Sequence, residues 1–237
     1  MKGRAEVTQK ALNNLVTEAD IKSEQQIVSL LHKDYPESLF YGEEDESRGA
    51  LKAPSLWLID PLDGTNNFAH GIPIYCVSIA YAEMGEVKCG AVYDPERDEL
   101  FWAQKGAGAF LNGSAIHVTD CDSLQEAIVT TGFYYDRGEL MEKTLDSVRR
   151  LFRNNIRGIR RTGSAAIDLC WLSCGRFDGY FEYMLSPWDF AAASLILQEA
   201  GGRAHDRNGG DFTLDSTGIV ASNEKIHNHL LEHVRYS

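Results

Sequence analysis

Apolar and polar positions follow one rhythm in the first half of this chain and another in the second. From Asp20 to Lys33, apolar Ile21, Ile27, Val28, Leu30 and Leu31 recur between polar residues, which predicts an amphipathic helix. Thr17-Glu18-Ala19-Asp20, just before it, has the Thr-x-x-Asp form related to a capping box. Leu56 to Ile59 is a short apolar run that predicts a strand stopping at Asp60-Pro61. Beyond it, Tyr75–Ala82, Val87–Tyr93 and Glu99–Ala103 predict an antiparallel meander. Turns at Met84-Gly85 and Asp94-Pro95-Glu96-Arg97 separate its strands.

The second half alternates. Strands are predicted at Ala127–Thr131, Gly158–Arg161, Asp178–Tyr183 and Ile219–Ala221. Between them fall helices at Glu139–Phe152, Ala165–Ser173 and Ser186–Ala200, with a last helix from Glu224. A strand-rich half followed by alternating elements predicts layered sheets and helices, an α+β chain and not an all-α or all-β one. No repeat, low-complexity tract or long linker interrupts it. The expected division is an N-terminal α+β lobe over 1–125 and a C-terminal α/β lobe over 126–237, packed as one unit.

Composition narrows the function classes. A formal charge of −12 over 237 residues argues against direct nucleic-acid binding, which needs basic surface. Five scattered cysteines, odd in number and without a CxxC pair, read as reduced thiols of a cytoplasmic protein. No N-terminal apolar leader and no run of about 18 apolar residues is present, so neither a signal peptide nor a membrane span is expected. An acidic protein can still handle a phosphate ester if clustered carboxylates hold divalent cations that invert the local field.

The segment Trp57-Leu58-Ile59-Asp60-Pro61-Leu62-Asp63-Gly64-Thr65-Asn66-Asn67-Phe68 carries the most chemistry. A strand delivers Asp60, and a proline-directed turn returns Asp63 beside it. Two such carboxylates can share a hard cation, with the Leu62 carbonyl as a third oxygen. Gly64 and Thr65 would open a helix whose free N–H groups suit a phosphate. The plain alternative is an Asp-Gly turn with solvated acids. Likewise Tyr41-Gly42-Glu43-Glu44-Asp45-Glu46 reads as a solvated acidic loop after the first helix. Ser186-Pro187-Trp188-Asp189 has the cap, the first-turn proline and the first-turn acid of an ordinary helix start. Asp20 has the same structural explanation. His229-Leu230-Leu231-Glu232-His233 matches a zinc-peptidase pattern without its downstream ligand, and reads as a surface helix. Cys170 and Cys174 read as core thiols.

Taken in order, these segments say more than each does alone. Gly42-Glu43-Glu44, then Trp57-x-Ile59-Asp60-Pro61-x-Asp63-Gly64-Thr65-x-Asn67-Phe68, then Trp188-Asp189-x-Ala191 and Glu199-Ala200-Gly201-Gly202 resemble the inositol monophosphatase family. Leu15-Val16-Thr17-x-x-Asp20, Lys105-Gly106-x-Gly108-Ala109-Phe110-x-Asn112-Gly113 and Gly163-Ser164-Ala165-Ala166 extend the likeness over nearly the whole chain.

The resemblance implies a layered α/β/α/β/α sandwich of the sugar-phosphatase type, usually a homodimer. It implies magnesium, two to three ions, on Glu43, Asp60, Asp63, Asp189 and the Leu62 carbonyl, with Asp20 near the third. Lithium inhibition is expected with it. Thr65, with Glu43 or Asp20, would orient the attacking water, and Gly64 and Thr65 would hold the phosphate. Gly163, Ser164, Ala165, Glu182 and Asp189 would line the substrate pocket. The expected substrate is a small phosphorylated polyol, first of all myo-inositol monophosphate, because Asn66-Asn67-Phe68 resembles inositol phosphatases more than bisphosphate nucleotidases. Fructose 1,6-bisphosphate, bisphosphate nucleotides and histidinol phosphate remain alternatives, as does a non-catalytic role with transcription machinery. No nucleophilic Cys or His accompanies the site, so direct water attack is expected without a phosphoenzyme. The family also implies a long helix ahead of Leu15. Only about a dozen residues precede that segment here, and the expectation is exposed apolar surface and a looser environment for Asp20.

Overall fold

The computed structural model describes residues 7–11, 14–44, 51–135 and 137–236. An antiparallel hairpin of β1 (Val7–Ala11) and β2 (Asn14–Thr17) runs straight into α1 (Glu18–Asp34). A seven-stranded sheet follows in sequential spatial order: β3 (Leu39–Gly42), β4 (Leu56–Asp63), β5 (Cys76–Glu83), β6 (Glu86–Asp94), β7 (Glu99–Gln104), β8 (Ala109–Leu111) and β9 (Ser114–Ala115). The short α2 (Thr65–His70) joins β4 to β5. Among the described residues, β3 and β4 alone pair in parallel within this sheet.

The second half supplies β10 (Ile128–Thr131), α3 (Glu139–Arg153), β11 (Gly158–Arg160), α4 (Ala165–Ser173), β12 (Gly179–Glu182), α5 (Pro187–Glu199), β13 (Gly202–Asp206), β14 (Ile219–Asn223) and α6 (His227–Val234). Its five strands stand in the order β11-β10-β12-β14-β13.

Two cores hold the layers together. The larger joins one face of the seven-stranded sheet, through Leu56, Leu58, Val92 and Phe101, to α4 and α5 and onward to Tyr180, Ile219 and Ala221. The smaller lies beyond the second sheet, where Val129, Phe181, Tyr183 and Val220 meet Leu151, Leu230 and Val234. Residues 180 and 181 point to opposite cores because side chains alternate along a strand. With α1 packed on β4 from the outside, the layers run α/β/α/β/α, an α+β sandwich.

Helices α4 and α5 lie between two sheets, and so they are apolar all round instead of striped. Ala191, Ala192 and Ala193 are fully buried, and their small side chains let the sheets close in. At Gly90 on β6 the approach is tightest: a Cβ there would fall 2.7 Å from the Cα of Ala192. Neither backbone can yield without moving a layer. Gly90→Ala is therefore expected to cost roughly 2–3 kcal/mol, lowering Tm by about 5–10 °C in a thermal melt.

Several elements differ from the sequence reading. β4 does not stop at Asp60 and turn; it continues to Asp63 through a bulge, with Asp60 opposite Ser78 and Asp63 opposite Cys76. Pro61 has no N–H for the ladder, so the strand bulges there instead of ending. Glu43 does not lie in a free loop, because β3 pairs with β4 up to Gly42–Ile59 and delivers it. Asp45 and Glu46 of the same acidic run lie outside the described residues. The last helix starts at His227, since Asn223 Oδ1 accepts the Ile226 N–H at 3.0 Å and holds 224–226 as a turn. α1 leaves Ile21 and Leu30 exposed. No described helix is long and apolar enough to cross a membrane.

Candidate metal and phosphate site

The ends of β3, β4, β10 and β12 and the first turns of α2, α4 and α5 converge on a cavity of about 550 Å³. Glu43, Asp60, Leu62, Asp63, Gly64, Thr65, Gly163, Ser164, Ala165, Glu182 and Asp189 all line it.

Each acid is fixed by its own local device. Asp63 Oδ2 accepts from Ser164 Oγ and from the Ala166 N–H, both at 2.7 Å. The N-terminus of α4 thus anchors Asp63 through Oδ2 at the wall of the cavity. Ser164 also caps its own helix by accepting from Ile167 N at 3.3 Å, so its hydroxyl is committed. Asp189 Oδ2 accepts the Ser186 N–H at 2.7 Å, the reach-back of a capping box. Asp60 Oδ1 takes the Leu62 N–H at 3.0 Å and so stabilises the bulge that carries it. Gly64, at φ 99°, makes the left-handed step from β4 into α2. Asn67 Nδ2 then ties α2 to the carbonyls of Ile74 and Thr162, at 2.7 and 2.9 Å.

Thr65 Oγ1 lies 3.0 Å from both Asp20 Oδ1 and the Leu62 carbonyl. A hydroxyl has one proton, so its donation is divided between two acceptors and its lone pairs stay available. Asp20 itself is 1% exposed and does not line the cavity. It touches the site through Thr65.

The site is electrostatically strained. Burial, and then Glu43, Asp63 and Asp189, push the Asp60 carboxyl well above the usual range. Burial followed by Asp63 and Glu43 does the same to Asp189, against the pull of the Ser186 N–H. Asp63 is raised by burial and drawn back by the donors of α4. Among the described residues no Lys or Arg forms an ion pair with Asp60, Asp63 or Asp189. The cation in the cavity wall, Arg161, offsets Asp168 and Glu182 instead. Oxygen-only donors without a cation of their own fit hard divalent ions. The described acids share the cavity without three of them closing on one point, so water or substrate would complete any coordination shell.

The same cavity holds a group that the sequence did not single out. Asp168 is the only acid in the otherwise apolar α4, and that isolation was its available signal. It is 2% exposed and accepts from Thr162 Oγ1 at 2.8 Å. Burial raises its carboxyl, and Glu182 and Asp63 add to the rise. Glu182 accepts from Tyr180 Oη at 2.7 Å, and burial lifts it to about 7. Phe133, Tyr134, Tyr135 and Arg161 complete the wall, and none announced itself in the sequence. His229, Glu232 and His233 lie on α6 beside a separate shallow groove. All five cysteines are free, with Cys170 buried and Cys174 half-buried.

Residues 2–237 match the profile described as the inositol monophosphatase family. The inositol monophosphatase of Dictyostelium discoideum is 38% identical over 228 residues, covering 95% of this chain and 84% of that protein. The Nus factor SuhB of Vibrio cholerae is 41% identical over 232 residues, covering 98% and 86%. The Thermotoga maritima IMPase structure superposes with a TM-score of 0.89 at 36% identity, covering 97% of this chain and 87% of that one.

Proposed function

Because the chain belongs to the inositol monophosphatase family, we propose that it is a magnesium-dependent phosphomonoesterase acting on a small polyol phosphate, first of all myo-inositol monophosphate. The observation that carries this reading is the convergence of Glu43, Asp60, Asp63 and Asp189 on one cavity beside Thr65. Those four carboxylates and the Leu62 carbonyl would hold two to three magnesium ions, which when bound neutralise phosphoryl oxygens and make a water nucleophilic.

The chain's own residues do the rest. Gly64 and Thr65 open α2 toward the cavity, where their N–H groups can take phosphoryl oxygens. With the hydroxyl proton of Thr65 directed to Asp20, its Oγ1 accepts from the attacking water and aims it. Glu43, on the same wall, can take the water's proton. Glu182, and Asp168 beside it, present oxygens to the hydroxyls of the polyol. With burial holding Glu182 near 7, it can donate as well as accept. Ser164 holds Asp63 through its hydroxyl and, with Gly163 and Ala165, lines the wall that substrate would meet.

The test is phosphate release from inositol 1-phosphate, fructose 1,6-bisphosphate and adenosine 3′,5′-bisphosphate, each with and without magnesium. Release that requires magnesium and favours inositol 1-phosphate is expected. Folded protein that releases phosphate from none of the three would remove the reading. A second reading, as a partner of transcription machinery, rests on relatives named Nus factors, such as the Vibrio cholerae protein. Association with such machinery that survives loss of Asp63 would support it.

A further inference from the structure

Asp20 and Glu24 stand four residues apart on α1, so their side chains leave one face of the helix. Both are buried, at 1% and 5% exposure. Asp20 is spent on Thr65, whereas Glu24 has no part in the mechanism above. Its Oε2 accepts the main-chain N–H of Glu44 at 2.9 Å. The same carboxylate lies against Gly42: a Cβ at that position would fall 2.3 Å from Oε2, 2.5 Å from Cδ and 2.8 Å from Oε1. Glu43 sits between these two contacts.

On the other side of Glu43 the support is weaker. The parallel ladder with β4 ends at Gly42–Ile59, and Glu43 N reaches the Ile59 carbonyl at 3.3 Å, long for such a bond. A charged acceptor makes a stronger bond to a backbone N–H than a neutral one. Where only a filled gap between α1 and β3 was needed, an apolar side chain would serve without burying a carboxylate.

We propose that Glu24 is the positioning residue for Glu43: by holding the N–H of residue 44 while lying flat on Gly42, it fixes the backbone from which the Glu43 carboxylate enters the cavity. Asp20 and Glu24 together make α1 a two-point brace, one point on Thr65 and one on the strand end that carries Glu43. The inference rests on Glu43 being a cation ligand of the proposed phosphatase.

The experiment compares Glu24→Ala, Glu24→Gln, Gly42→Ala and the double variant Glu24→Ala/Gly42→Ala. Magnesium binding to substrate-free protein is measured by calorimetry, beside kcat, KM and Tm. Glu24→Ala is expected to weaken magnesium binding and lower kcat by about 10–100-fold each, with KM for the ester little changed. Glu24→Gln keeps an acceptor for the Glu44 N–H and recovers most of the loss. Gly42→Ala alone reproduces the defect, because the methyl displaces the carboxylate. In the Glu24→Ala background it adds almost nothing, a non-additivity that a general loss of stability does not produce.

Unchanged magnesium affinity in Glu24→Ala, or full additivity of the two substitutions, overturns the proposal and leaves Glu24 a structural residue. Wild-type protein that binds magnesium but hydrolyses no ester removes the phosphatase reading, while the calorimetric arm still decides Glu24. Wild-type protein that binds no magnesium removes both.

Discussion

Asp63→Asn lowers kcat/KM for the phosphate ester by roughly 10³-fold or more while the protein stays folded. The direction follows from which oxygen is already occupied. Ser164 Oγ and the Ala166 N–H both donate to Oδ2, so an asparagine at 63 places its carbonyl oxygen there. Its amide group then stands in place of Oδ1 and offers hydrogens instead of an anionic oxygen. A ligand of the cation becomes a donor.

The same change relieves repulsion, because Asp63 is one of the charges that raise Asp60 and Asp189. Tm of the metal-free variant is accordingly expected to equal or exceed that of the wild type, although activity is gone. Steady-state kinetics and a thermal melt in chelator test the two halves separately. Activity within tenfold of wild type would take Asp63 out of the site.

In the absence of divalent cations, stability falls as pH rises from about 4.5 through about 7. Glu182 sets the window. Its carboxyl is raised from 4.5 to about 7 on folding, chiefly by burial, so the folded state binds the proton more tightly than the unfolded chain. The contribution is complete below 4.5 and is lost as pH climbs through the folded value. At 1.36 kcal/mol for each unit, it amounts to about 3 kcal/mol.

Asp60, Asp168 and Asp189 are raised in the same direction, burial first in each case, and steepen the fall. Glu99, lowered mainly by its hydrogen bond with Arg176, and His227, lowered to about 4 chiefly by burial, work the opposite way. They offset part of the fall below about pH 6.5, so the decline rests on the raised carboxyls together. Melts in chelator from pH 4.5 to 8 are expected to show a declining Tm, with Glu182→Gln flattening the decline. Magnesium competes with protons for the carboxylates, so its stabilising effect is largest at the alkaline end. A Tm that instead rises steadily with pH in chelator would contradict this account.

What the sequence determined by itself is whatever local pattern and covalent chemistry decide. The meander of β5, β6 and β7 was legible because alternation and turn residues act within about ten positions. The start of α5 was legible because Ser186, Pro187 and Asp189 satisfy its first turn from within that turn. One site for Glu43, Asp60, Asp63 and Asp189 was implied by the resemblance of the colinear motifs to the inositol monophosphatase family and not by the residues taken singly. These residues do line one cavity.

Tertiary structure decided how each acid is held and which neighbours it has. β3 is four residues long, too short for a periodic signal, and exists through its parallel pairing with β4. The bulge at Pro61 depends on the partner strand β5, which alone makes a missing N–H into a skipped rung. Asp63 takes its bonds from Ser164 and Ala166, more than a hundred positions away. Asp20 and Glu24 look alike as helical acids, yet one meets a threonine hydroxyl and the other a backbone N–H. Helical spacing put both on one face. What stands opposite that face is set by the packing of α1 on the sheet, where contacts distant in sequence choose each buried carboxylate's donor.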